Sequence, residues 1–194
     1  MIRHIFLILS LAASLGACVA GYSLVNPGTS MVGDLTISSS DTWNLAPTLA
    51  YSRKKAQVWT QDGLLLDRII IIPGVANGQS LFKSRQKDAA LPKFRSDMLP
   101  NEIEELSESS IAKLFGEGEA AVTTMNLRPH RFGENQGFMF DFSAILADGP
   151  DYSGMAGAFV ANEMLYLILY IAAEPHYFGK HQEEAATIIK TAHL

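Results

Sequence analysis

The chain has 194 residues, of which 48% are hydrophobic and 18% charged, and its formal net charge is −5. That length suits one domain with a filled core, and the composition excludes a disordered chain. The acidic balance argues against nucleic acid as a partner and against electrostatic attachment to anionic headgroups, because both demand a basic stripe. The longest basic run, Arg53-Lys54-Lys55, is read as a solvated turn.

The N-terminus carries the most specific signal. Arg3 and His4 make a short basic start, and Ile5 to Ala13 form an apolar run. The run is shorter than the about 20 residues a spanning helix needs, but it has the length of a signal-peptide hydrophobic region. The only cysteine follows, at the end of Leu15-Gly16-Ala17-Cys18, and a lone cysteine can form no internal disulfide.

Those four residues resemble the lipobox of bacterial lipoproteins: an aliphatic residue, two small residues, then cysteine. The resemblance implies cleavage between Ala17 and Cys18 and transfer of a diacylglyceryl group to the Cys18 sulfur, whose thiolate is the nucleophile. It also implies a membrane partner, reached through a lipid anchor at Cys18. Each buried methylene contributes about 0.8 kcal/mol, so two or three acyl chains hold the protein without a spanning helix. Val19 stands where an Asp resembles an inner-membrane retention signal in enteric-type bacteria. An outer-membrane location is therefore expected if the source has two membranes. The alternative is an ordinary secretory signal cut after Ala20, which would discard Cys18.

Residues 1–17 are thus expected to be a signal peptide, 18–42 a lipidated N-terminus and tether, and 43–194 a single α+β domain. Pro27-Gly28 marks a turn in the tether, where the alternation of Leu35 and Ile37 suggests a first edge strand. Gln57 to Thr60 and Leu64 to Ile72 read as a hairpin closed by Asp62-Gly63 and ended by Pro73-Gly74. Ser80 to Pro100 suggests a short helix and a surface loop.

Pro100 to Phe115 reads as an amphipathic helix. Pro100 suits the first turn, Glu102, Glu104 and Glu105 complement the positive helix start, and Ile103, Leu106, Ile111 and Leu114 share a stripe.

Strand-like segments follow at Glu119–Leu127, Gly137–Leu146, Tyr152–Ala161 and Glu163–Ala173, with a turn at Asn162-Glu163. Phe138, Phe140 and Phe142 face one way, and Met139, Asp141 and Ser143 the other. Leu165 to Ile171 is apolar on both faces, which predicts a central strand covered on both sides. Gly154, Ala156, Gly157 and Ala158 predict close approach of a neighbouring layer. A last helix is expected from His181 to Ala192.

The expected fold class is α+β, an antiparallel sheet of about six strands with packed helices. The element order resembles the fold shared by PsbP-type photosystem proteins and a Ran-binding import factor. That likeness spans roughly Trp43 to the C-terminus and rests on element order with Trp59, Asp62-Gly63 and Tyr166 to Tyr170. No functional residue carries over, and fold alone does not give function.

Few residues suggest chemistry. Gly28-Thr29-Ser30-Met31-Val32-Gly33 has one residue too many for a nucleophile elbow. His176 and His181, five apart, do not share a helix face as metal-binding histidines would. Asp141, between Phe140 and Phe142, becomes a site candidate if the face opposite those rings is covered. Pro129-His130-Arg131-Phe132 and Pro175-His176-Tyr177-Phe178 are similar loop tetrads that could converge. The candidate ligand-binding residues are therefore His130, Arg131 and Asp141, and no catalytic residue, metal or cofactor is expected. The function expected is that of an envelope lipoprotein with a non-enzymatic binding or accessory role and an envelope protein as partner. The alternative is a lipid-anchored hydrolase or redox accessory protein.

Overall fold

A computed structural model describes residues 21–50, 52–53, 55–84, 91–116 and 118–194. Ala17 and Cys18, the expected cleavage and lipidation positions, lie outside them. Among the described residues no helix is long and apolar enough to cross a membrane.

Among the described residues, ten strands and two helices form the fold. The strands are β1 (Ser23–Val25), β2 (Gly28–Val32), β3 (Leu35–Ser39), β4 (Trp43–Leu45), β5 (Gln57–Thr60), β6 (Asp67–Ala76), β7 (Ala120–Phe132), β8 (Asn135–Leu146), β9 (Tyr152–Ala161) and β10 (Met164–Ala173). The helices are α1 (Pro100–Phe115), between β6 and β7, and α2 (Tyr177–Thr191). Eight strands make one antiparallel sheet in the order β1-β4-β5-β6-β10-β9-β8-β7, while β2 and β3 form a separate hairpin. The α+β class holds, but the sheet is larger than the expected six strands. The excess is the two short strands β1 and β4, added beside β5.

The segment expected as a tether is structured from Ser23 onward. Val32, Leu35 and Ile37 are fully buried in one core with Trp43 and with Ala185, Ile188 and Ile189 of α2. A backbone bridge between Thr36 and His193 and the contacts of Ser40 with Glu184 fasten β3 along the helix. The alternation of Leu35 and Ile37 does mark a strand, but the polar composition around it suggests a solvated tether, whereas α2 covers that strand's apolar face.

The β5–β6 turn is longer than a tight Asp-Gly hairpin. Asp67, almost wholly buried, accepts the amides of Gln61 at 2.9 Å and Asp62 at 2.7 Å and the Thr60 hydroxyl at 3.0 Å. One carboxylate therefore gathers the turn, and Leu64 to Leu66 belong to it rather than to β6. Pro73-Gly74 does not end that strand either. It forms a bulge, with Gly74 at φ +97° and the pairing shifted between Leu165 and Leu167, and β6 runs on to Ala76.

Helix α1 has the expected bounds, with Ile103, Leu106, Ile111 and Leu114 buried. No helix occurs among the described residues of 80–99. Leu81, Phe82 and Phe94 instead plug the core beneath α1.

The sheet is covered on both sides, because β10 buries Leu165, Leu167, Leu169 and Ile171 towards α1 and Tyr166, Ile168 and Tyr170 towards α2. Gly157 permits the second contact, since a Cβ there would lie 2.4 Å from Ile189 Cγ2. The β9–β10 connection places Asn162 and Glu163 at φ +50° and +60°, the tight turn expected from the sequence. Helix α2 starts four residues before its expected start, so the second histidine tetrad opens a helix and is not a loop.

Candidate functional site

Helix α2 lies over β10 and β9, leaving the floor formed by β8 and the edge strand β7 only partly roofed. Beside the helix runs a groove of about 350 Å³. Its wall is a single helix stripe, Phe178, Gln182, Ala186 and Lys190, spaced four residues apart. Its floor is built by register: Met125, Asp141 and Met155 pair in one row across β7, β8 and β9, with Met139 two residues along β8. Three of the chain's seven methionines thus line one groove. Thioether side chains are flexible and polarizable, which suits adaptable binding surfaces.

A β-bulge sets the polar part. Between Met125 and Arg128 the β7 register slips, and Asn126 takes φ +59°. The extra residue turns Arg128 to the face that Met125 already occupies. Arg128 then grips Asp141 with two hydrogen bonds, Nη2 to Oδ1 at 2.9 Å and Nη1 to Oδ2 at 3.0 Å, and Nη1 also donates to the Asn126 carbonyl at 2.8 Å. The Asp141 side chain is about one-third exposed (32%).

The expected trio is only partly gathered. Asp141 lies in the groove, but its cation is Arg128 and not Arg131. His130 shares the groove's sheet face, where its Nε2 donates to the Lys190 carbonyl at 3.0 Å and its ring meets Phe132 edge-on. Arg131, the next residue on a strand, points to the opposite face and is exposed. The loop reading of Pro129 to Phe132 is corrected accordingly, since these residues end β7.

A second polar cluster, not recognised as such in the sequence, joins the start of α2 to the β5–β6 turn. The Asp62 carboxylate accepts Lys180 Nζ at 2.6 Å and His181 Nε2 at 2.6 Å. Burial pushes the Asp62 carboxyl up, but the hydrogen bonds and charges of Lys180 and His181 outweigh it and hold the group below the ordinary carboxylate range. His181 is 8% exposed, and its ring lies 6.1 Å from that of Trp43. Nearby, Tyr170 shares its hydroxyl proton between the carbonyls of Tyr177 and Phe178, and burial followed by the charge of Asp67 raises its pKa. The signal available in the sequence was Lys180-His181 at a helix start, but its acidic partner lies 119 residues away. Among the described residues, no group of three His, Cys, Asp or Glu side chains is placed to hold a metal ion.

No protein-family model matches the chain, and no curated protein matches it. Among solved structures it is similar to the solution structure of cyanobacterial PsbP (CyanoP) from Synechocystis sp. PCC 6803. The TM-score is 0.59 and the sequence identity 9%, over 92% of this chain and 95% of that one. At such identity the likeness concerns architecture, and it agrees with the element order read from the sequence. The chain has the PsbP-like α+β fold.

Proposed function

We propose that this chain is an envelope lipoprotein whose PsbP-like domain has a non-enzymatic binding or accessory role, with the groove beside α2 as its binding surface. The observation that carries this reading is Leu15-Gly16-Ala17-Cys18 directly after a signal-like apolar run. Cys18 bears the lipid, the mature protein begins there, and the outer membrane is its place if the source has two membranes. The groove supports binding over turnover in two ways. Its carboxylate is already neutralised by Arg128, and the adjacent His130 gives its Nε2 proton to a backbone carbonyl.

Growth with labelled palmitate tests the anchor. The native protein takes up label, and Cys18→Ser abolishes it. Label retained in that variant, or a native N-terminus at Gly21, refutes lipidation at Cys18. Recovery of a particular envelope protein cross-linked through groove residues supports the accessory role.

One observation favours the alternative of an anchored hydrolase. His181 and Asp62 form a largely buried imidazole–carboxylate pair, the arrangement that orients a general base. Turnover of a generic ester or peptide substrate that disappears in His181→Gln would establish that reading in place of the first.

A further inference from the structure

We propose that the groove beside α2 takes a single-chain amphipathic anion, an acyl chain ending in a carboxylate. This deepens the binding role proposed above and rests on it.

Shape comes first. The stripe from Phe178 to Lys190 covers three helical turns and more, about 18 Å at 1.5 Å rise per residue. A groove that long with a volume of about 350 Å³ is narrow, and it suits an extended chain better than a compact ring system. Its lining is mixed in chemistry. Met125, Met139, Met155, Ala186 and Phe178 offer apolar contact, whereas the charge comes from the Arg128–Asp141 pair and from Lys190 on the last turn of α2.

Charge decides the head. Arg128 and Asp141 cancel as a bidentate pair, which leaves the Lys190 ammonium without an opposing carboxylate among the lining residues. The whole chain is acidic, so a cation in the groove stands out against its surface and selects an anion. Lys190 is exposed, and its mobile ammonium can meet a carboxylate.

A peptide strand added to β7 would be the competing occupant of this edge, and the edge is closed to it. The Thr124 amide and hydroxyl both donate to Glu108 Oε2 at 2.8 Å, the bulge at Asn126 breaks the regular edge, and Pro129 has no N–H to offer. The open face is the groove itself, which holds side chains and not unpaired backbone.

The test uses the intact protein in its own membranes. A dodecanoate carrying a photoreactive diazirine and an alkyne is compared with the same chain ending in trimethylammonium, and the adducts are mapped by peptide mass spectrometry. The carboxylate probe is expected to label peptides containing Met155 or Phe178, at least about tenfold more than the ammonium probe. Lys190→Gln should lower that labelling about tenfold, the worth of one charge-assisted hydrogen bond. Met125→Glu, at an exposed floor position, should lower it as well while the thermal melt stays unchanged.

Equal labelling by the two head groups overturns the proposal, and so does carboxylate labelling that maps away from α2, β8 and β9. If Cys18 proves unlipidated while dodecanoate still maps to the groove, the envelope placement fails and the ligand class stands. If Cys18 carries lipid but dodecanoate finds no groove, the ligand class fails alone.

Discussion

The Nε2 atom of His181 lies 2.6 Å from Oδ2 of Asp62, so the first turns of α2 are bolted to the turn that joins β5 and β6. Lys180 reaches the same carboxylate, and the three side chains settle where the helix begins its path over the sheet. This junction gives the fold an acid-sensitive seam.

Asp62 is held below its ordinary pKa in the folded chain. An unfolded Asp titrates at about 3.9, so the stabilisation is complete above roughly pH 4 and is lost as pH falls through the folded-state value. Asp62→Asn is expected to cost about 1–2 kcal/mol at neutral pH, below the about 1.5–3 kcal/mol of fully buried charged hydrogen bonds because Lys180 and Asp62 keep solvent contact. Urea unfolding of both proteins at pH 7 and again near pH 2.5 checks this. The gap should shrink strongly at the lower pH, and an undiminished gap would sink the assignment.

Gly157→Ala should destabilise the protein by about 1–3 kcal/mol through overpacking. The new methyl would meet Ile189 Cγ2 at 2.4 Å and Phe132 Cζ at 2.9 Å. Adding Ile189→Ala should return less than its own cost, because the two changes share one space. A double-mutant cycle by thermal melts measures the coupling, and strict additivity would contradict the contact.

Arg128→Ala leaves Asp141 without its partner, whereas Arg128→Gln together with Asp141→Asn removes both charges. The double variant is expected to be more stable than Arg128→Ala, by about 0.5–1 kcal/mol, since both partners retain solvent contact. Chemical unfolding at low and high salt tests it. The difference should narrow at high salt, where a partly exposed pair is screened.

Glu108→Ala removes the carboxylate that occupies the outward amide of Thr124. The freed edge of β7 should then pair with another chain, and sedimentation should reveal association that depends on protein concentration. A variant as monomeric as the parent at every concentration would show that the bulge and Pro129 guard the edge alone.

Much of this architecture was legible from the residues in order. Helix α1 declared itself through Pro100, its acidic first turn and a clean apolar stripe. Strand β10 did so through a run apolar on both faces, and the β9–β10 turn through Asn162-Glu163. The errors have physical causes. Asp67 collects a wide turn with side-chain acceptance of groups five to seven residues back, which Asp62-Gly63 does not announce. The Leu35 and Ile37 strand was visible, but its place in the core was not, because α2, which covers it, lies more than 140 residues away at Ser40 and Glu184.

The groove was visible in one residue out of three. Asp141 was found because an acid between two phenylalanines must face away from them. Arg131 was named as part of Pro129-His130-Arg131-Phe132, read as a loop, whereas those residues continue β7 beyond a bulge that turns Arg128 to the groove face. His181 was weighed only as a metal partner of His176, because the carboxylate it holds is distant in sequence and only the packing of α2 on the sheet brings the two together.

That bulge also makes β7 a strand with two phases. Before Asn126 the odd positions serve α2 and the even ones serve α1; after Leu127 the assignment is exchanged. Deleting a single residue there would restore one rhythm throughout, drawing Thr123 and Met125 to the α1 side and carrying Val122 and Thr124 into the groove. One codon's worth of chain thus keeps the two halves of an edge strand out of step, and the composition of the binding surface depends on that offset.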